Sequence, residues 1–91
     1  MKPDPDKRTS AKPEVVDSIT FHCYRVGVMQ YAWISEDGRL QVQRNYGRET
    51  YCASVDGTAL EGANPLRAKR FNSQTAAMLA AVFESRRRDR A

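Results

Sequence analysis

The sequence is poor in the residues that carry chemistry. Its single histidine, His22, stands beside one of only two cysteines, Cys23. Adjacent residues of an extended strand point to opposite faces, so this pair cannot act as a thiol–imidazole couple within one strand. His22 is read as a surface or edge residue. Two cysteines and one histidine at wide spacing do not make the roughly four-ligand set of a zinc site. There is no phosphate-cradling glycine loop; Gly57 and Gly62 read as turn glycines, and Ser35 and Ser54 have no base partner. The expectation is therefore a non-enzyme with no catalytic residue, no metal and no cofactor. Long apolar runs are missing too. None approaches the roughly 20 residues of a membrane span, and "MKPDPDKRTSAKPE" has no apolar segment of the kind an export signal needs. No membrane association and a cytoplasmic location are expected, with Cys23 and Cys52 as reduced thiols filling small core spaces. The alternative, that they face each other on neighbouring strands, stays open.

What is present is strand-like in the middle and helix-like at the end. Residues 1–14 hold three of the four prolines and no apolar period, which predicts a disordered arm ahead of a single domain over 15–91. "SITFHCYRVGVMQYAWIS" is dense in β-branched and aromatic residues but too long for one strand. Gly27 is read as a bulge or bend dividing it, with Ile19, Phe21 and Cys23 on one face and Met29, Tyr31 and Trp33 on another. Asp37-Gly38 signals a hairpin. "RLQVQR" alternates with Leu40 and Val42 inward and Gln41 and Gln43 outward. "NYGRE" reads as a second turn about Gly47, and "TYCASVDG" as a further strand, with Asp56-Gly57 shaping a turn. After the loop "TALEGANP", "LRAKRF" is a short extended segment.

Ser73 is a good N-cap, predicting a helix from about Gln74 to Arg87 that ends in a frayed basic tail. Ala76, Leu79, Ala80 and Phe83 recur at helical spacing and are assigned to the sheet-facing stripe, with Leu79 and Phe83 against Trp33 or Tyr51. The small residues let the helix approach a crowded sheet. Tyr24 and Tyr46 are the aromatics assigned to the surface. The fold class is α+β: an antiparallel meander of three to four strands packed against one C-terminal helix.

The charge is asymmetric. Residues 65–91 carry seven basic residues against two acidic ones, whereas residues 15–64 carry four against six. Such a bias points to an anionic partner or, equally, to arginines complementing the negative end of the helix dipole.

From Tyr51 to Val82, the order "YCASVDG", loop, "KRF", polar cap and "TAAMLAA" resembles two related families, the phage-integrase arm-binding domains and the ethylene-response-type DNA-binding domains of plants. The end of a double-stranded-RNA-binding domain has a similar order, but this chain lacks its lysine pair and its first helix. The resemblance implies a three-stranded sheet whose face away from the helix enters the major groove. On that basis Arg39, Gln41 and Gln43 would read base edges, and Arg67, Lys69 and Arg70 would contact phosphates, joined by Arg86, Arg87 and Arg88 of the tail. Glu36, Asp37, Glu49 and Asp56 surround this surface with the wrong charge. Two functions follow as expectations: nucleic-acid binding by a small basic domain, or a protein–protein interaction module of phage or mobile-element type that binds no nucleic acid.

Overall fold

Connections too short to cross a sheet force sequence neighbours to become spatial neighbours. The computed structural model describes residues 5–28, 30–44, 50–60 and 70–90. Six antiparallel strands lie in chain order: β1 (Glu14–Val16), β2 (Ile19–Gly27), β3 (Gln30–Ser35), β4 (Leu40–Arg44), β5 (Tyr51–Val55) and β6 (Thr58–Ala59). One helix, α1 (Gln74–Arg90), packs on a single face. The α+β class and the C-terminal helix are as expected, but the sheet has six strands rather than three to four.

The difference arises at turns. Pairing shifts register between Arg25 and Gly27, leaving Val26 as a bulge, and the chain then reverses, so the long apolar stretch is the hairpin β2–β3. The two edge strands each follow or precede a two-residue turn with positive φ at both positions. These are Asp56-Gly57, with φ of 52° and 83°, and Asp17-Ser18, with φ of 50° and 69°. Such turns match the right-handed twist of the flanking strands. A Cβ on Gly57 would meet nothing within 4 Å, so that glycine is needed for its φ alone. Asp17-Ser18 has no glycine to announce it, and β1 was hidden for that reason.

The Asp37-Gly38 reversal is built by side chains. Asp37 Oδ1 accepts from the Ser35 hydroxyl at 2.6 Å and from the Arg39 amide at 3.1 Å, and Ser35 Oγ accepts from the Leu40 amide at 3.0 Å. Hydrogen bonding from Ser35, ahead of the contributions of Arg39, holds the Asp37 carboxyl below the usual carboxylate range. The turn expected about Gly47, together with Met29, Tyr46, Gly62 and Pro65, lies outside the described residues.

Residues 5–14 differ from a free arm. A 3-10 turn (Pro5–Lys7) leads to Arg8, which bridges to Tyr24, and the Thr9 amide donates to the Cys23 carbonyl at 2.9 Å. This segment and β1 together occupy the outer edge of β2. At the opposite side, β6 pairs with one end of β5 while Phe71 exchanges two 2.8 Å backbone hydrogen bonds with Tyr51 at the other. Edges that would otherwise offer unpaired backbone groups are thus filled by short pieces of chain.

Cross-strand rows define two faces. Trp33, Val42 and Ala53 lie in one row and Leu40 and Val55 in another, under the helix with Phe21. Cys23 pairs with Trp33 in the first of these rows, while Cys52 belongs to the opposite face three strands away, roughly 14 Å at ordinary strand spacing. The two cysteines form no disulfide. On the face away from the helix, Tyr24, Ala32 and Ile34 form a second small cluster. Tyr24, assigned to the surface, is buried there.

Ser73 caps α1 through Oγ, which accepts from the Ala76 amide at 3.1 Å. The sheet-facing residues are Ala77, Met78, Ala81 and Val82, not the stripe Ala76, Leu79, Ala80 and Phe83. Adjacent alanine pairs make both stripes small and apolar, so size alone does not choose between them. Polar residues at the ends of the observed face do. Gln74 donates to Glu14 at 2.6 Å, and Arg88 and Asp89 bond to the far end of the sheet. The helix also runs to Arg90 instead of fraying after Arg87, because its last turn has partners.

The observed register predicts unequal costs along the helix. Met78→Ala empties a fully buried site and should cost about 2–5 kcal/mol. Leu79→Ala, at a half-buried position, should cost clearly less. Ala81→Leu should destabilise by about 1–3 kcal/mol through overpacking. Urea unfolding of the three variants checks the order, and a costlier Leu79→Ala than Met78→Ala would contradict it.

Candidate functional site

In a meander the odd-numbered reversals fall at one end of the sheet. Here those reversals contain Asp17, Asp37 and Asp56. The C-terminal end of α1 reaches the same place, where Arg86 meets Asp17, while Asp56 is met by Arg39 and Asp37 by Ser35 and the Arg39 amide. Arg39 is the centre of the contact. Its Nε and Nη2 donate to Asp56 at 2.9 and 3.0 Å, and its Nη1 and Nη2 donate to Asp89 at 3.1 Å each. One guanidinium therefore joins the turn before β4, the turn after β5 and the last turn of the helix. Arg88 Nη1 donates to the Val55 carbonyl at 3.0 Å and its Nε to Glu84 at 3.1 Å. Arg86 pairs with the Asp17 carboxylate, and its Nη2 also donates to the Asp17 carbonyl at 3.3 Å. Arg87 pairs with Glu84 one turn back.

These bonds shift the groups in opposite directions. The Arg39 guanidinium holds the Asp56 carboxyl below its ordinary value, and Arg87, followed by Arg88, does the same to Glu84. Asp56 and then Asp89 raise Arg39, and Glu84 raises Arg87. The contacts are partly exposed, and single surface ion pairs contribute little. The arrangement matters because it connects elements 17 and 50 residues apart in sequence.

The predicted nucleic-acid residues separate into groups. Gln41 and Gln43 do lie on the face away from the helix, half-buried. Arg39 does not join them: β4 begins at Leu40, and the guanidinium is drawn to Asp56 and Asp89. Arg86, Arg87 and Arg88 are in the ion pairs above. Arg70 is exposed near the other end of the helix, and Arg67 and Lys69 lie outside the described residues. The tail and Arg70 are separated by most of a 17-residue helix, roughly 25 Å at the standard rise.

Two features were not anticipated. Phe83 is 58% exposed. It stands in a groove of about 490 Å³ between the helix and the β6 side of the sheet, with Leu60, Phe71 and Ala80 as apolar walls and Arg87 and Arg88 on the rim. Its signal in the sequence was the extra apolar stripe on an alanine-rich helix. His22, read as a surface or edge residue, is 8% exposed and held between Arg8 and Glu36. Its neighbours come from segments 14 residues away on either side, and no local pattern reports them.

Among the described residues, no group of three or more histidine, cysteine, aspartate or glutamate side chains could hold a metal ion. No helix among them is long and apolar enough to cross a membrane. No protein-family model, curated protein or solved structure matches this chain.

The ion pairs generate a pH prediction. A carboxyl whose folded value is depressed stabilises the fold fully above the ordinary carboxylate range of about 4, and that contribution disappears as the pH falls through the folded value. The melting temperature should therefore fall between pH 5 and pH 2.5 more steeply in the natural protein than in Arg39→Met. The two curves should converge in acid, and parallel curves would remove Arg39 as the cause.

Proposed function

We propose that this chain is a small non-enzymatic binding domain that contacts another protein through the groove around Phe83. The observation carrying this reading is a large aromatic side chain left more than half exposed in a hollow whose walls include Leu60, Phe71 and Ala80. Covering the exposed part of a phenylalanine is worth roughly 1–2 kcal/mol, and aromatics are the residue type that most often anchors protein interfaces. A groove bounded by Leu60 and Phe71 accepts an apolar side chain, and Glu84 with Arg87 and Arg88 supplies a polar rim of both signs.

The alternative is sequence-independent binding to nucleic acid. It draws on the overall basic balance and on the exposed Arg70. It ranks second because Arg39, Arg86, Arg87 and Arg88 already face carboxylates, so a phosphate would have to displace them. The glutamines on the far face supply no charge to hold a backbone.

Phe83→Asp separates the readings. The protein-binding account expects a partner that is retained from nuclease-treated extract by the natural chain and lost by Phe83→Asp, with the melting temperature of the variant nearly unchanged. The same pair of proteins is then titrated with duplex DNA at low and moderate salt. Binding that is indifferent to Phe83→Asp and weakens steeply with salt would overturn the groove as the functional surface.

A further inference from the structure

We infer that the end of the sheet opposite the acidic turns holds a single strand of nucleic acid, on a row of arginines and tyrosines that crosses from β2 to β5. The even-numbered reversals of the meander lie at this end. Arg25 pairs with Tyr31 across β2 and β3, and Arg44 pairs with Tyr51 across β4 and β5. The ladder that sets Ala32 opposite Gln43 brings Tyr31 level with Arg44, so the four residues form one continuous row. They share a face, because they lie two residues along their strands from Cys23, Trp33, Val42 and Ala53 of the next row. Across four strands the row is roughly 14 Å long at ordinary strand spacing.

The row is accessible. Tyr31 is 41% exposed, Arg25 and Arg44 are exposed, and Tyr51 is half-buried with its ring 6.2 Å from that of Trp33. Arg25 donates through Nε to the Gly27 carbonyl at 3.4 Å and has no carboxylate partner among the described residues. Exposed Lys7 stands beyond β2, in a hollow of about 680 Å³ that Arg25 and Tyr31 also line, with Asp6 as an acidic neighbour. Exposed Arg70 stands at the other end of the row, next to Phe71, whose backbone pairs with Tyr51. Each tyrosine therefore has cations on both sides along the row.

This arrangement suits a single strand. A phosphate backbone is held by cations set along a line, and unstacked bases are held by aromatic faces that every base can use. The row offers both within the reach of a few nucleotides. A duplex keeps its base faces inside its own stack, so Tyr31 gains nothing from it. Asp17, Asp37 and Asp56 lie at the far end of the sheet, away from the bound phosphates. The site includes neither Phe83 nor the arginines of the helix end, so it is independent of the protein-binding groove.

The test titrates the full chain with dye-labelled octanucleotides, oligo(dT) and oligo(U), and with a DNA duplex of the same length, at low and at moderate salt. The single strands should bind, more weakly as salt rises, and the duplex should bind at least about fivefold less tightly for want of a stacked base. Tyr31→Ala should weaken single-strand binding at least about fivefold, the low end of what stacking on an aromatic contributes per base, and Tyr31→Phe should not. Arg25→Gln should flatten the slope of log affinity against log salt by about 0.7. These substitutions are at exposed positions, so the melting temperatures should stay close to that of the natural chain. Phe83→Asp should bind the strands as the natural chain does. Binding of only one of the two sugars would narrow the ligand and keep the row. Absence of binding at low salt, equal affinity for the duplex, indifference to Tyr31→Ala, or loss of binding in Phe83→Asp would each overturn the proposal.

Discussion

The contact between three aspartate-bearing turns and the arginine-rich end of α1 organises the molecule. An antiparallel meander places alternate reversals at one end, and here those reversals carry Asp17, Asp37 and Asp56. A row of carboxylates in tight turns is a repulsive array unless cations face it. The helix brings Arg86 and Arg88 to that end, and Arg39 links two of its partners into one network. The contact also fixes the helix in both translation and rotation. Once Arg88 and Asp89 face the turns, helical geometry puts Ala81, Val82, Ala77 and Met78 on the sheet, and Gln74 arrives at Glu14.

The core is thin but closely approached. Ala77 and Ala81 are fully buried, which lets the helix backbone come near Val42, Ala53 and Val55, while Met78 fills the irregular space beside them. The rotation that buries these residues turns Phe83 outward. The same constraint that completes the core therefore creates the groove on which the proposed protein contact depends. Among the described residues, the opposite sheet face has a small cluster at β2 and β3, and the N-terminal segment pairs with the backbone beside it at Cys23 and Tyr24.

Much of the fold was legible where local chemistry is strong. Alternation gave β4 and β5, Asp37-Gly38 marked a hairpin, and Ser73 marked the helix start. The misreadings have physical reasons. Asp17-Ser18 adopts positive φ without a glycine. The alanine pairs of α1 leave two stripes equally plausible, and the choice is made by partners distant in sequence. Arg39 follows the outward alternation of Gln41 and Gln43 in sequence, yet it precedes β4 and answers to two carboxylates instead of to the strand's pleat. The arginine tail and the acidic turns were each visible, but their charges were read as separate surfaces. Only topology shows that they meet. The His22 site was not legible, because both of its partners arrive from other segments.

The most direct test of this organisation is the water exchange of the arginine Nε protons, followed by NMR at mildly acidic pH. Arg39 donates through Nε to Asp56, and Arg87 and Arg88 donate through Nε to Glu84, so their Nε protons should exchange more slowly than those of Arg70 and Arg90. Rotation of the Arg39 guanidinium about its Nε–Cζ bond should also be hindered, since it donates to two carboxylates at once. Slow exchange confined to these positions is the result this account predicts. Uniformly fast exchange across all the arginines would mean that the helix end is a solvated tail, and the account of how the helix is seated on the sheet would be contradicted.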